Sequence, residues 1–437
     1  MTYQETIDYL IEQAPMFQQV GSNAYKEGLF NTIKLDKNAG HPHTKYRTIH
    51  VAGTNGKGSV SHTLAAILQS AGYKVGLYTS PHLIDFRERI RVNGKPISEE
   101  TVVKYIEDER PFFEPIHPSF FEVTTAMAFT YFESQKVDIA VIEVGLGGRL
   151  DCTNIIHPDL SIITNIGLDH VKFLGDTLAK IAFEKAGIIK QGVPVVIGED
   201  CEETRPVFEN KAKECNSPIV FAQDNKSVKS YNYSQDGALI YDTDLYPNLS
   251  GELKGYCQHH NANTILTAIQ ILNNSGYKIS EAAVRQGFSS VCELTGLRGR
   301  WQTLADAPKM VCDTGHNVHG LTYIAEQLKQ ISCKPEFGKL RIVIGMVDDK
   351  DVEGVLKIMP QNATYYFTQA SVKRALDATK LSSLAHTFGL KGDCYKDVAE
   401  AVDAARKESD SNDFIYIGGS TFIVADLFSL PEFRYEE

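Results

Sequence analysis

The chain has no apolar run long enough to cross a membrane as a helix, and its opening residues, MTYQETIDYLIEQ, are too polar and acidic for a secretory signal. It has no surplus of positive charge either. Lys and Arg number 44 against 55 Asp and Glu, a formal net charge of −11. That removes the electrostatic footprint of a nucleic-acid or acidic-membrane binder, while leaving room for small anions, which a glycine loop and a few arginines can hold. Closely spaced cysteines are missing as well. The eight, at 152, 201, 215, 257, 292, 312, 333 and 394, contain no zinc or redox pair, and they read as reduced, mostly buried thiols of a cytoplasmic protein. There is no internal repeat and no low-complexity tract. What is present is an ordinary soluble composition, 43% hydrophobic and 23% charged, over 437 residues, enough for two or three domains.

A short amphipathic helix is expected at 3–13, then a polar region over 20–43 with a helix near 30–35. From Thr48 apolar strands and helices alternate. Strands are expected at 49–52, 75–79, 139–144, 160–164 and 195–197, and helices at 59–71, 99–109, 122–135 and 177–187, a pattern that predicts a parallel sheet flanked by helices. Residues 222–250 are turn-rich and predict short antiparallel strands, followed by helices at 259–274 and 280–288. The stretch TGLRGRW at 295–301 reads as a linker. Beyond it strands are expected at 310–312, 341–346, 365–368 and 414–417, with helices between them. The fold class is therefore α/β: a larger N-terminal domain with a parallel sheet over 1–296, made P-loop ATPase-like by its glycine loop at 53–59, and a smaller C-terminal Rossmann-like α/β domain over 297–437. Ligands of such sheets bind at the carboxyl ends of the strands, often between domains that close on them.

The most informative stretch is 48–59, TIHVAGTNGKGS. An apolar strand enters a glycine turn, and the turn enters a helix. Such a turn aims backbone N–H groups and a helix N-terminus at one spot, which suits a phosphate. Lys57 can reach the outer phosphates of a nucleotide, and the Ser59 hydroxyl can face a magnesium ion. Gly53, Thr54, Asn55, Gly56, Lys57, Gly58 and Ser59 are thus candidate ATP contacts. The general phosphate-loop pattern wants four residues between its glycines and a hydroxyl directly after the Lys. Here only Thr54 and Asn55 separate Gly53 from Gly56, and Gly58 follows Lys57.

That departure is itself a signature. HVAGTNGKGS resembles the Mur ligase superfamily, and in particular the folylpolyglutamate synthases and dihydrofolate synthases, two activities that one protein can combine. The resemblance runs from about residue 25 to 425. It implies an ATP-dependent ligase that joins a carboxylate to the amine of L-glutamate, with dihydropteroate or a reduced folate as acceptor, two Mg²⁺ ions, and a monomeric chain with neither nucleic-acid nor membrane partners.

Glu143 ends the apolar run DIAVIEVG at 138–145, followed by Gly145, Gly147 and Gly148. A carboxylate at the tip of a buried strand beside a phosphate loop suits Mg²⁺, which takes a few carboxylates plus phosphate oxygens and water; the alternative is a helix-capping acid. By the resemblance, Glu143 is a metal ligand, Ser80 of TSPH contacts the first metal, and His170 of NIGLDH binds the second. On its own Lys185 of EKAGI reads as a residue near a helix C-terminus, with Gly187 just beyond. The resemblance makes it carbamylated by carbon dioxide, the new carboxylate helping to hold the second magnesium.

Phe120, Phe121, Glu122 and Thr124, with Arg149 and Asp151 of the string RLD, are implied contacts of the pterin or folate; paired aromatics entering a helix are also ordinary core. Arg87, Arg89 and Arg91 would lie on one face of a solvated hairpin strand. Further on, Asn261 of QHHN resembles the family's adenine contact, although Cys257 stands where the family has His. Arg300 resembles the arginine that reaches the ATP phosphates. Asp313 and His316 of DTGHN resemble an ATP contact and a phosphate neighbour, with Gly315 where Ala is usual. The catalytic candidates are thus Lys57, Lys185, Arg300 and His316. Asp349-Lys350-Asp351 and Arg374 resemble segments near the glutamate end of the substrate.

Two rivals remain on the sequence. One is a Mur-type ligase acting on a UDP-sugar peptide, which carries a separate domain before the phosphate loop; about fifty residues precede the loop here. The other is a P-loop ATPase or kinase without ligase activity, whose ADP release would ignore glutamate.

Overall fold

The computed structural model describes residues 1–13, 28–234 and 237–434, so the expected polar region at 20–43 is described only from residue 28. Strand β1 (Arg47–Ala52) is buried at every position after its first. A strand covered on both faces reads as one apolar run, and it sits in the middle of a sheet. It pairs in parallel with β5 (Ile139–Glu143) on one side and with β6 (Leu160–Ile163) on the other. The sheet is completed by β2 (Val75–Tyr78), β3 (Ile90–Val92), β4 (Lys95–Pro96), β7 (Val195–Ile197) and β8 (Ile219–Phe221), in the order β4-β3-β2-β5-β1-β6-β7-β8. Only the pairs β2–β3 and β3–β4 are antiparallel.

Alternate residues of these strands feed opposite layers. Ile49, Val51, Ile139 and Val141 pack with the helices Lys57–Ser70, Gln258–Asn274 and Glu281–Ser289. Ala140 and Ile142 pack with the helices Glu99–Phe113 and Phe120–Ser134 on the other face. Three short antiparallel strands, β9 (Val228–Tyr233), β10 (Leu239–Thr243) and β11 (Leu249–Gly251), form the turn-rich region.

Residues 298–437, together with Leu253–Cys257, form a second unit; residues 1–252 and 258–297 form the first. The second holds a sheet in the order β12-β13-β17-β14-β15-β16: β12 (Gln302–Asp306), β13 (Lys309–Cys312), β14 (Leu340–Ile344), β15 (Thr364–Phe367), β16 (Lys391–Cys394) and β17 (Phe414–Gly418). All but β12 are parallel to their neighbours. The segment 253–257 is pinned by one buried amide: Gln327 accepts from Tyr256 N at 3.0 Å and donates to Lys254 O at 3.3 Å.

Two expectations are corrected. Arg87 and Arg89 lie in a 3-10 turn (Phe86–Arg89), so the three arginines do not share a strand face; Arg89 and Arg91 are buried rather than solvated. Arg89 Nε donates to His82 Nδ1 at 2.8 Å and its guanidinium lies over Phe120, while Arg91 donates to Gly94 O. The thiols are not mostly buried. Only Cys312 is; Cys152, Cys215, Cys257 and Cys292 are partly exposed, and Cys201, Cys333 and Cys394 exposed, with none in a disulfide. Cys215 and Cys333 fall just past helices and Cys394 on an edge strand, where one side of the residue meets solvent.

Candidate active site

Strands β2, β5, β1 and β6 are neighbours and parallel, so their carboxyl ends share one edge of the sheet. Ser80 follows β2, Glu143 ends β5, the glycine loop follows β1, and residues 164–170 follow β6. Four segments far apart in sequence are thus brought to one place.

The loop requires its glycines. Gly53 has φ 148°, and a Cβ there would fall 1.8 Å from Thr164 Oγ1. Gly56, at φ 81°, caps the helix Lys57–Ser70, and its Cβ would fall 2.5 Å from Asn261 Oδ1. Because Gly56 turns the chain sharply, the helix begins at Lys57, two residues before its expected start. The amides of Thr54 and Asn55 donate to Asn165, to its backbone and side-chain oxygens respectively, both at 2.9 Å. The Thr54 hydroxyl exchanges hydrogen bonds with Gly167. These two residues therefore anchor the loop to the end of β6. The first-turn amides of Lys57, Gly58 and Ser59 have no partner within the helix, which is the usual anion-holding arrangement. The Ser59 hydroxyl accepts from Gln258 Nε2 at 3.3 Å, and Asn261 donates to Gln258 Oε1 at 2.9 Å, so the helix Gln258–Asn274 braces the same loop.

Lys57 folds back on the loop, with Nζ 3.0 Å from Gly53 O and 3.2 Å from Thr54 O. Lys185, buried near the end of the helix Leu178–Ala186, brings its Nζ to 2.9 Å from the same Gly53 oxygen. Burial, and then the positive charge of Lys57, pull the Lys185 pKa down to about 7. A buried amine poised near neutrality is a nucleophile, which an ordinary helix-end lysine is not.

Glu143 is buried at its strand end, in register with Val51. His170 takes a left-handed conformation, φ 49°, and its side chain stays about a quarter exposed beside Asp169. Among the described residues no three His, Cys, Asp or Glu side chains group closely enough to hold an ion. A Mg²⁺ ion here would be held partly by phosphate oxygens and water rather than by an all-protein cage, and Ser80 and Glu143 are the donors that would join it. Lys185 as an ammonium would not belong to such a set; as a carbamate it would.

Most candidate pterin contacts are engaged within the chain. Glu122 closes a capping box with Ser119, and Phe120 packs edge-on against Phe86. The hydroxyl of Thr124 lies 3.1 Å from that of Tyr78. Asp151 accepts from Leu146 N at 2.8 Å and Thr153 N at 3.0 Å, so it brackets the glycine-rich turn after Glu143. Arg149 bonds Glu184 Oε1 at 2.9 Å. Phe121 is partly exposed; its ring stacks on Tyr78 and lies where a Cβ on Gly145 would be, 2.4 Å away.

In the second unit Asp313, just past the end of β13, is partly exposed, yet its carboxyl pKa is raised by the desolvation it meets there; it accepts from Trp301 N and Gly315 N, each at 2.7 Å. Arg300 bonds the Thr314 hydroxyl and Gly299 O, and His316 Nδ1 sits 3.1 Å from Thr314 O. Arg300, Asp313 and His316 thus form one cluster. Gly315 is matched to its setting, since a Cβ there would meet Ile324 at 2.5 Å. Arg374 pairs with Asp349 at 3.3 Å, Asp351 caps the helix Val352–Ile358, and Ser420 caps Thr421–Ser429.

Sequence reasoning passed over Asn165, Gln258 and the pair His82–Arg89. Asn165 had a signal, since it lies just past an apolar strand and two residues before a glycine.

Comparison with known proteins narrows this geometry to a class. The Mur ligase middle domain matches residues 51–271, and the Mur ligase glutamate ligase domain matches residues 299–421. The chain belongs to the Mur ligase family, and within it to the dihydrofolate synthase/folylpolyglutamate synthases. The dihydrofolate synthase/folylpolyglutamate synthase of Bacillus subtilis (strain 168) is 33% identical over 420 residues, covering 92% of this chain and 94% of the relative. Escherichia coli FolC in complex with DHPP and ADP has 31% identity and a TM-score of 0.83, covering 98% of this chain and 97% of that one. A bifunctional folylpolyglutamate synthase/dihydrofolate synthase with Mn, AMPPNP and L-glutamate bound has 29% identity and a TM-score of 0.79, over 98% of both chains.

Proposed function

We propose that this chain is an ATP-dependent acid–amino-acid ligase that adds L-glutamate to dihydropteroate, to a reduced folate, or to both, in the cytoplasm. It uses ATP and a divalent metal. The observation that carries the reading is the Gly53–Ser59 loop, tied to β6 through Asn165 and set beside Glu143, in a chain that matches these ligases over nearly its whole length.

The acceptor's carboxylate attacks the γ-phosphate of ATP, forming an acyl phosphate and releasing ADP. The amine of glutamate then attacks the acyl carbon, and phosphate leaves as the amide forms. The loop amides and Lys57 offset the charge that develops on the transferring phosphoryl group. Residues 1–296 are read as the ATP, metal and pterin domain, and 297–437 as the glutamate-ligase domain, with Arg300, Asp313 and His316 acting on the nucleotide. Asn261 is read as the adenine contact.

Two Mg²⁺ ions are part of the reading. They would neutralise phosphate charge, with Ser80 and Glu143 serving one, and His170 and carbamylated Lys185 the other. The neutral Nζ of Lys185 attacks CO₂, an N–C bond forms and one proton is lost, which turns a neutral amine into an anion. Of the two aromatic pterin candidates, Phe121 is the more exposed and could stack on a flat ring, while Arg149 and Asp151 would shape the turn beneath it.

The test is phosphate release from Mg-ATP with L-glutamate, comparing dihydropteroate, tetrahydrofolate and no acceptor. Turnover with dihydropteroate alone means a dihydrofolate synthase, with tetrahydrofolate alone a polyglutamylating enzyme, and with both a bifunctional one. Release that ignores acceptor and glutamate overturns the ligase.

A further inference from the structure

We propose that Glu199 is a positioning residue for the phosphate loop, acting through the side-chain amide of Asn165. This rests on reading the loop as the nucleotide-phosphate site.

Hydrogen bonding to β6 continues past the end of β7 at Ile197. Gly198 N donates to Ile163 O at 2.8 Å and Glu199 N to Thr164 O at 2.9 Å, so the ladder carries Glu199 alongside the end of β6. Gly198 permits this close approach, since a Cβ there would fall 2.3 Å from Thr164 O. From that place Glu199 Oε1 accepts from Asn165 Nδ2 at 3.3 Å. The other end of the same amide, Asn165 Oδ1, accepts from Asn55 N at 2.9 Å.

An asparagine amide can present either end to a neighbour. A backbone N–H requires the oxygen and a carboxylate requires the nitrogen. With Asn55 N on one side and Glu199 on the other, only one orientation satisfies both. Turning the amide over would set NH₂ against N–H and oxygen against carboxylate. Glu199 therefore fixes the amide that holds the Asn55 corner of the loop. Its second oxygen lies 3.5 Å from His260 Nδ1. His260 is on the helix Gln258–Asn274, which also supplies Gln258 to Ser59 and Asn261 to the Gly56 turn. One carboxylate thus touches both supports of the loop, from β6 and from the helix.

The experiment is calorimetric titration of the full chain with Mg-ADP, alongside KM for ATP and for L-glutamate. Glu199→Ala should weaken ADP about ten-fold, the scale of one lost hydrogen bond to a charged group. It should raise KM for ATP in step and leave KM for glutamate unchanged. Glu199→Gln, whose amide oxygen still accepts from Asn165 Nδ2, should stay within about two-fold of wild type. Wild-type ADP affinity in Glu199→Ala, or equal losses in both variants, overturns the inference while the loop reading stands. If the wild-type chain binds no ADP, the loop reading fails and takes this inference with it. Should Glu199→Ala not fold, the comparison moves to Asn165→Asp, which sets two carboxylates together, and Asn165→Asp/Glu199→Gln, which relieves them. The double variant should bind ADP more tightly than the single; no difference overturns the proposal.

Discussion

Lys57 and Lys185 donate to the same oxygen, the carbonyl of Gly53, from 3.0 and 2.9 Å. Burial first, and then the positive charge of Lys57 on the same carbonyl, pull the Lys185 pKa down to about 7. A neutral amine takes up CO₂, so ¹³C-bicarbonate should give a carbamate carbon signal in the wild type that Lys185→Met lacks. Lys57→Met removes the neighbouring charge, raises the Lys185 pKa, and should reduce that signal at fixed pH near 7. A Lys57→Met signal equal to wild type would break the link between the two residues.

Lys57 also carries its own part of the chemistry. Lys57→Ala should lower kcat for phosphate release by roughly 10²–10³-fold, the scale for removing one charge-stabilising group at a transferring phosphoryl. Its circular dichroism should remain that of the wild type, since Lys57 is a partly exposed helix N-terminal residue.

Glu143 reports on the metal. Chelation with EDTA should stop phosphate release, and added Mg²⁺ should restore it. In Glu143→Gln the Mg²⁺ needed for half-maximal rate should rise by about ten-fold or more, at least the scale seen when a supporting residue of a metal site is lost. A titration that superimposes on wild type would remove Glu143 from the metal site.

His50 offers a pH test away from the reacting atoms. It lies in β1, fully buried, 2.9 Å from the Thr153 hydroxyl, which in turn bonds Asp151. Burial pulls its pKa down to about 3. Between that value and the ordinary value of about 6.5, the unfolded chain binds a proton that the folded chain refuses, so stability falls as pH falls through this window. From pH 6.5 to pH 5 the loss is about 1.6 kcal/mol. Denaturant unfolding of His50→Gln should show a loss smaller by about that amount over the same range. Equal losses would place the acid sensitivity elsewhere.

What could be read from the sequence was the part written locally. The order strand, glycine turn, Lys, hydroxyl, helix around residues 48–59 needs no partner to be recognised, and neither does the apolar alternation that names β5, β6 and β7. What could not be read depends on partners distant in the chain. The near-neutral Lys185 exists because the fold buries it and, second, because Lys57, 128 positions away in the numbering, reaches the same carbonyl, and the burial of Arg89 depends on His82 and Phe120. The edge strand β16, KGDC, has almost no apolar content and is found only because Phe367 and its neighbours in β15 pair with it. Asp151 carried a family reading as a pterin contact, and its bonds to Leu146 and Thr153 are set by the turn it closes.

The glycines of the loop provide a controlled comparison. Gly56 and Gly72 both adopt positive φ, 81° and 90°, and they flank the same helix, Lys57–Ser70. Replacing either with Ala forces a side chain into the left-handed region, at about 1–2 kcal/mol of stability. The two sites differ in what the new methyl meets. At Gly72 nothing lies within 4 Å, whereas at Gly56 the methyl lies 2.5 Å from Asn261 Oδ1. Asn261 is tied to Gln258, and Gln258 to Ser59, so a push at Gly56 is passed to the first turn of the helix that faces the phosphate. Both variants should therefore show similar falls in unfolding free energy, but only Gly56→Ala should lose ADP affinity, by about ten-fold or more, as expected when a binding loop's hydrogen bonds are displaced. If Gly72→Ala weakens ADP equally, general destabilisation rather than the Asn261 contact governs the loop.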